Sequence, residues 1–130
     1  MPAAAGVYRR GVPLLHHVNL GVPEGGIDAQ SAFLIDVLGF RRVEPNPEIA
    51  AYVHWFDDDN GVQIHLSADP DHRPAARAHV ALSIEDLDVL RKRLDAANVD
   101  VSTTKFDGIP ILNCCDPSGN RWELRGPRES

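Results

Sequence analysis

The sequence is poor in cysteine, and the few it has exclude a disulfide framework. Its two cysteines, Cys114 and Cys115, are neighbours in the chain. Neighbouring residues of a strand point to opposite faces of the sheet, so a disulfide or a two-thiol metal clip between them is not expected. We expect one of them to pack in the core, which leaves the other free to face a cavity.

Long apolar runs are also missing. No stretch approaches the ~18 consecutive apolar residues that a membrane-spanning helix needs. The beginning of the chain, MPAAAGVYRRGVPLL, lacks the apolar core of a signal peptide. We therefore expect a cytoplasmic protein that does not bind a membrane.

Positive charge is scarce as well. The chain has 13 Lys and Arg against 19 Asp and Glu, which gives a net charge of −6 at pH 7. Proteins that bind nucleic acid neutralise phosphates with clustered Lys and Arg, and no such cluster is present here. The composition excludes a nucleic-acid partner and favours a small molecule.

Residues 14–67 predict the order strand, helix, strand, strand, strand. The first strand, LLHHVNLGV, alternates apolar and polar residues, which is the pattern of a half-buried strand. The helix is bounded by Asp28, a suitable N-cap, and by Gly39, a suitable C-terminal stop. Three short strands are predicted at 40–43, 51–56 and 62–67, the last two joined by a tight Asn60-Gly61 turn.

Residues 77–126 repeat this order after an irregular linker over 68–76. A strand, AHVALSI, leads into an amphipathic helix, and Ser83 with Asp86 resembles a capping box. Three further strands are predicted at 99–103, 109–115 and 121–125, the last two joined by the type I turn DPSGN. The pattern predicts an α+β protein with two βαβββ modules in one domain, 1–130.

Each module carries one ionisable residue on its first strand and one on its last. His79 follows His17 by 62 residues (79 − 17), and Glu123 follows His65 by 58 (123 − 65), so the positions are nearly equivalent in the repeat. An apolar residue follows each of the four, so all four side chains should point away from the helix-packed face. They would converge if the two sheets formed an open, eight-stranded, barrel-like cleft with the helices outside.

Three imidazoles and a carboxylate are suitable ligands for a divalent transition metal and leave positions open for water or substrate. Taken singly, each has a simpler interpretation, because a strand His is more often structural and Glu123 has arginines nearby that pair with surface acids. The repeat favours the metal site. His16 is assigned to packing or to the sheet edge, and His72, in the linker, to solvent.

Further polar side chains are candidates for contact with the substrate. Tyr52 and His54 share a parity with Phe56 that would let them line the cavity. Asn19, Gln63 and Arg121 offer hydrogen bonds to a polar or anionic ligand, although Arg121 is equally suited to a surface ion pair.

Together these motifs resemble the vicinal oxygen chelate superfamily, which includes glyoxalase I, bleomycin and fosfomycin resistance proteins, and extradiol dioxygenases. The resemblance covers residues 14–126 and is carried by LLHHVNLGV, FLIDVLGF, VQIHL, AHVALSIEDLDVLRKRL and DPSGNRWEL. It implies paired modules around a metal-containing cleft, commonly in a homodimer. It also implies a substrate that presents two adjacent oxygens to a divalent ion such as Zn, Ni, Co, Mn or Fe(II).

By this resemblance His17, His79 and Glu123 match metal ligands, and His65 stands where glyoxalase I more usually has a carboxylate or Gln. Glu123 then remains as the catalytic group that moves a proton. The two-His, one-carboxylate subset is also that of non-haem iron oxygenases, so lyase, isomerase and dioxygenase chemistry stay open, with His65 a fourth ligand or a nearby base. The alternatives are a metal-free sequestering protein of the bleomycin resistance type and a regulatory module without turnover.

Overall fold

The computed structural model describes residues 7–129 and contains two four-stranded sheets of the same design. The first sheet has the order β1 (Val18–Val22), β4 (Gln63–Ala68), β3 (His54–Asp57) and β2 (Arg41–Val43). The second has the order β5 (His79–Ser83), β8 (Arg121–Arg125), β7 (Ile109–Cys115) and β6 (Ser102–Phe106). In each sheet the first pair is parallel and the other pairs are antiparallel.

This architecture confirms the α+β class and the two βαβββ modules, with sheets that stay open rather than closing into a barrel. Residues 1–6 and 130 of the predicted domain lie outside the described residues. No helix between residues 7 and 129 has the length and apolar character needed to cross a membrane.

Each module has one main helix, and the ends of both differ slightly from the prediction. Helix α1 (Ile27–Ala32) continues as a π-helical turn over Phe33–Val37, and Gly39 follows at a positive φ of 78°. Asp28 lies in the first turn of α1 and not at the N-cap, which is Gly26.

Helix α2 (Leu87–Ala96) begins at a different cap from the one expected. The carboxylate of Asp86 accepts a hydrogen bond from the Val89 amide at 3.2 Å, so Asp86 is itself the N-cap, whereas Ser83 ends β5. The predicted capping box is therefore replaced by a single Asp cap.

Three strands begin later than predicted. Strand β1 begins at Val18 and not at Leu14, so His17 lies just before it. Strands β3 and β6 each begin three residues late because turns occupy the intervening chain. Before β3, the amides of Ile49 and Tyr52 donate to carbonyls three residues earlier. Before β6, Asn98 takes a left-handed conformation (φ 57°) at the end of α2. Strand β6 then ends in an Asp107-Gly108 turn with φ of 52° and 74°, which is the type I′ geometry that suits a two-residue hairpin.

The turn between β3 and β4 also differs from the expected tight hairpin. Only Gly61 has a positive φ (85°), and the Asp58 amide donates to the Val62 carbonyl at 3.1 Å. The Asp58 carboxylate accepts hydrogen bonds from the amides of Asn60 and Val62 at 2.8 and 2.9 Å. The connection is therefore a five-residue loop organised by one aspartate.

The helices and the inner faces of both sheets share one apolar core. The rings of Phe33 and Trp122, from different modules, lie 6.0 Å apart. The Asn120 side-chain amide donates to the Gly21 carbonyl at 2.9 Å, which adds a polar link between the modules. The least exposed apolar side chains of this core are Val22, Leu34, Phe56, Ile64, Leu66, Leu94, Trp122 and Leu124.

Asp116 is the buried centre of the last hairpin. It begins the predicted type I turn, since the Gly119 amide donates to its carbonyl at 3.0 Å. Its carboxylate is only 5% exposed and accepts four hydrogen bonds at 2.6–2.9 Å, two from main-chain amides and two from side chains of the core. The donors are the amides of Ser118 and Asn120, the Trp122 indole and the Gln30 side-chain amide.

Candidate metal centre

The sheet registers place the predicted ligands at equivalent positions of the two modules. In the parallel pairs Asn19 lies opposite His65, and Ala81 lies opposite Glu123. The neighbours of Glu123, Trp122 and Leu124, point into the core, and so do Ile64 and Leu66 beside His65. Because side chains alternate along a strand, His65 and Glu123 point away from the core, as predicted.

The second module brings His79 and Glu123 together. The Nε2 atom of His79 lies 3.4 Å from Oε2 of Glu123, and the Arg125 guanidinium lies 3.2 Å from Oε1 of the same carboxylate. The Nδ1 atom of His79 is 3.0 Å from the Arg77 carbonyl oxygen, which only accepts hydrogen bonds. This contact assigns a hydrogen to Nδ1, so in a neutral ring the Nε2 lone pair faces the carboxylate.

Two electron-pair donors facing each other at this distance need a cation or a proton between them. Two ligands each ~2.1 Å from one ion, at a tetrahedral angle, lie about 3.4 Å apart. The separation of His79 and Glu123 equals this value. The second-module pair, His79 and Glu123, thus fits two adjacent ligands of one divalent ion.

The first module brings His17 and His65 together in a different arrangement. Their rings are stacked with centroids 3.8 Å apart and planes at 19°, and Trp55 stacks on His65 at 4.8 Å. The Nδ1 atom of His17 lies 2.9 Å from Nδ1 of His16, and Nε2 of His65 lies 2.8 Å from Oε1 of Gln63. Burial, followed by the nearby His17 and His16 rings, lowers the pKa of His65, which favours the neutral form that binds metals.

The four predicted ligands do not meet within one chain. Among residues 7–129 no group of three or more His, Cys, Asp or Glu side chains is close enough to hold a metal ion. Each module instead supplies two donors on its own outward face. One chain alone therefore does not fit a three- or four-ligand metal, although the second-module pair fits half of such a site.

A cavity of about 1020 Å³ opens beside His79 and Glu123. Its walls come from β5, β7, β8, the start of β6, the segment 97–101, the turn after β7 and the segment before β5, so no residue of the first module lines it. This volume is within the range that small-molecule sites occupy. The polar side chains that line the cavity include Arg77, Asp100, Asn113, Cys115, Asp116 and Arg121.

Several predicted substrate contacts have a different environment from the one expected. His54 lies opposite Leu66 and shares its face with the buried Phe56, so it points away from the face of His65. Burial and then the positive charge of Arg42, whose Nη2 is 2.7 Å from His54 Nδ1, lower the pKa of His54. Tyr52 precedes β3 in a turn and is 79% exposed.

Register, and not residue type, explains this difference. Strand β3 begins at His54 after a turn, and the residue opposite His65 is Trp55. Sequence reasoning overlooked Trp55 because it placed Phe56 and His54 on the cavity side, whereas Phe56 is buried in the core and Trp55 takes the open face. His72 was also misjudged, since it is partly buried and its Nε2 lies 2.8 Å from the Ser118 carbonyl oxygen.

The remaining polar candidates lie on the expected faces. Asn19 accepts a hydrogen bond from the Ser67 hydroxyl at 2.9 Å, and Gln63 contacts His65. Arg121 lies between His79 and Cys115 in a row across β5, β8 and β7. His16 is exposed and meets the His17 ring edge-on at 5.1 Å, so it belongs to the polar surface and not to the packing.

Comparison with known proteins decides the family. A family model described as Glyoxalase/Bleomycin resistance protein/Dioxygenase superfamily matches residues 14–124, most of the chain. The chain belongs to this superfamily. No functionally curated protein gives a significant match.

Solved structures share the fold of this glyoxalase-superfamily chain. A glyoxalase family protein from Bacillus anthracis superposes with a TM-score of 0.80 at 23% identity, covering 92% of this chain and 98% of the other. The fosfomycin resistance protein FosX from Listeria monocytogenes gives 0.72 at 17% identity, with coverage of 89% and 94%. A FosX variant solved with Mn(II) and 1S,2S-dihydroxypropylphosphonic acid gives 0.71 at 17% identity, with coverage of 87% and 89%.

Proposed function

We propose that the protein is a glyoxalase-like metalloenzyme whose site is shared between two copies of the chain. In this proposal His79 and Glu123 of one copy, together with His17 and His65 of the other, hold one divalent ion, and the assembly is a homodimer. When bound, such an ion acts as a Lewis acid on a substrate with two adjacent oxygens, in lyase, isomerase or dioxygenase chemistry. The observation that carries the proposal is the 3.4 Å separation of His79 Nε2 and Glu123 Oε2.

The separation of the four predicted ligands into two pairs supports a metal site shared between two copies of the chain. Each chain presents two complementary pairs on open sheet faces, and in the structure described here the pairs do not combine within one chain. A twofold dimer uses the same surface on both copies, so it would form two identical sites from the two kinds of pair. The Mn(II) complex of FosX, which has the same fold, supports a divalent metal in this fold.

Glu123 is the residue we propose for proton transfer. Arg125 holds Oε1 of Glu123, which leaves Oε2 facing His79 and the cavity. A carboxylate oxygen positioned beside a bound substrate can take a proton from carbon or return one to it. His79 is oriented by the Arg77 carbonyl, so its role is to hold the substrate-binding centre in place.

Metal content tests this proposal. Protein purified without chelators should contain close to one divalent ion per chain by elemental analysis, and His79→Ala and Glu123→Gln should each lose most of it. His54→Ala is the matched control, because it removes a histidine from the opposite face of a sheet. Less than about half an equivalent in the native chain, unchanged in the two site variants, would refute the metal site.

Complementation tests whether the site is shared. His17→Ala and His79→Ala should each bind little metal alone. When the two variants are unfolded and refolded together, random pairing makes about half of the dimers mixed. Each mixed dimer has one intact site of two, so about one quarter of the native metal content should return. No recovery from a mixture that forms dimers would contradict a site shared between copies.

A second candidate is a metal-free protein that sequesters a small molecule, as in the bleomycin resistance type. The observation in its favour is the first-module pair, whose rings stack on each other and whose nitrogens already contact His16 and Gln63. A stacked pair with occupied nitrogens needs to rearrange before both rings bind one ion. Tight binding of a ligand by chelator-treated protein, unaffected by His79→Ala, would favour this candidate.

A further inference from the structure

The cavity beside His79 and Glu123 contains two arginine side chains that the metal proposal does not use. Two arginines, Arg77 and Arg121, line it. With the other residues of 7–129, neither side chain forms a salt bridge or a side-chain hydrogen bond, whereas Arg91 and Arg128 form salt bridges elsewhere. Both side chains are exposed, so their guanidinium groups are accessible to an anion that enters the cavity.

The acids of the cavity do not pair with these arginines. The Asp116 carboxylate is buried and already accepts four hydrogen bonds. Glu123 has one oxygen held by Arg125 and the other facing His79. Asp100, the third acidic residue that lines the cavity, forms no salt bridge with either arginine in the described part of the chain, so both guanidinium groups keep their donors free for an anion.

Arg121 is well placed relative to the second-module pair. It lies opposite His79 on the neighbouring strand and two residues before Glu123, on the same face of β8. Residues i and i+2 of a strand are about 6.6 Å apart, so a group bound by Arg121 lies a few covalent bonds from one near Glu123. Guanidinium groups recognise carboxylates and phosphates by paired, charge-assisted hydrogen bonds.

We infer that the substrate is a small organic acid whose carboxylate, phosphonate or phosphate group is bound by Arg121, with Arg77 adding positive charge in the same cavity. The inference rests on the proposed function for the other end of the substrate, where two adjacent oxygens approach Glu123 and His79. Together the two ends define an anion and a pair of oxygens on one short carbon skeleton. The cavity walls at Asn113 and Ser102 complete the polar surroundings.

Calorimetric titration of chelator-treated full-length protein with inorganic phosphate and with malonate tests the anion site without any metal. Both probes should bind, and Arg121→Gln should weaken binding at least about tenfold. Arg91→Gln is the matched control, since it removes the same charge from the outer surface of α2 and should change affinity less than about twofold. Equal affinities for the native chain and Arg121→Gln, or equal weakening by Arg91→Gln, would overturn the inference, provided both variants unfold at the native urea midpoint.

Acetohydroxamic acid, a neutral molecule with two adjacent oxygens, separates this inference from the proposed function. Metal-supplied native protein should bind it, His79→Ala should not, and Arg121→Gln should retain it. Binding of acetohydroxamic acid without Arg121-dependent binding of phosphate or malonate would support the metal site and overturn the anion site. The opposite pair of results would support the anion site and contradict the metal site.

Discussion

The Asp116 carboxylate gives the sharpest test of how the modules are held together. Asp116→Ala leaves four donors without an acceptor, among them the Trp122 indole, which is 1% exposed, and the Gln30 amide, which is 0% exposed. Each buried donor left unpaired costs about 1–3 kcal/mol, and since such costs are not additive we expect a total of about 4–6 kcal/mol. Domains are stable by only about 5–15 kcal/mol, so this loss is a large part of the free energy of unfolding.

Asp58 provides a matched control because it is the same residue of the first module, 58 positions earlier (116 − 58). It accepts hydrogen bonds from the amides two and four residues later, as Asp116 does, but it lacks the two core side-chain donors. Asp58→Ala should therefore cost about 1–2 kcal/mol.

Urea unfolding followed by the fluorescence of Trp55 and Trp122 measures both effects. A difference of about 3 kcal/mol corresponds to a shift of roughly 2 M in the urea midpoint. If Asp116→Ala does not fold, Asp116→Asn keeps the acceptor for the two main-chain amides and should cost about 2–3 kcal/mol. Equal midpoints for the alanine variants at positions 58 and 116, or a loss below about 1 kcal/mol at Asp116, would refute this reasoning.

Three further predictions follow from the cysteines, a turn and a histidine. Burial raises the pKa of Cys114 to about 11, with Cys115 and Asp116 adding to the rise. A thiol reagent at pH 8 should therefore label the exposed Cys115 quickly and the buried Cys114 only in denaturant. Equal labelling rates for the two cysteines in the native protein would contradict the burial of Cys114. Gly108→Ala should lower the free energy of unfolding by about 1–2 kcal/mol because its φ is 74°, whereas Asp107→Gly should not, as urea unfolding can check. The pKa of His54 is lowered in the folded chain, so the unfolded chain binds more protons just below pH 6.5 and the free energy of unfolding should fall as the pH drops through this range. His54→Gln should reduce this fall between pH 7.5 and 5.5, as urea unfolding can measure. A fall of the same size in His54→Gln would contradict a role for His54.

The repeat allowed the fold to be predicted because its two halves reinforce each other. Alternation in AHVALSI, the stop at Gly39 and the turn at Asp116 lie where the structure has them, and LLHHVNLGV contains β1, although only from Val18 onward. Strand starts were less predictable, since β3 and β6 begin only after local turns that hydrophobic alternation does not reveal. The Asp107-Gly108 pair was a readable hairpin signal that the predicted strand 99–103 had overlooked.

Strand alternation predicted which way individual side chains point, but not how the two sheets place them relative to each other. Strand parity correctly directed His65 and Glu123 away from the core, because their neighbours had to be buried. Strand alternation says nothing about how two sheets face each other, so the sequence could not predict that the four ligands form two separate pairs. His54 shows the related limit, since alternation groups it with Phe56 but does not say which of the two faces is buried.

Among the four predicted metal ligands, the two modules differ at one position, which is His65 in the first module and Glu123 in the second. This difference sets the total charge of the four ligands. Neutral imidazoles contribute none, and Glu123 contributes one negative charge. With imidazoles at both positions, a divalent ion and its ligands would have a net charge of two, and with carboxylates at both positions a net charge of zero. The mixed pair gives a net charge of one. The asymmetry of the repeat would thus retain an attraction for an acidic ligand without holding its product as strongly as a fully cationic centre.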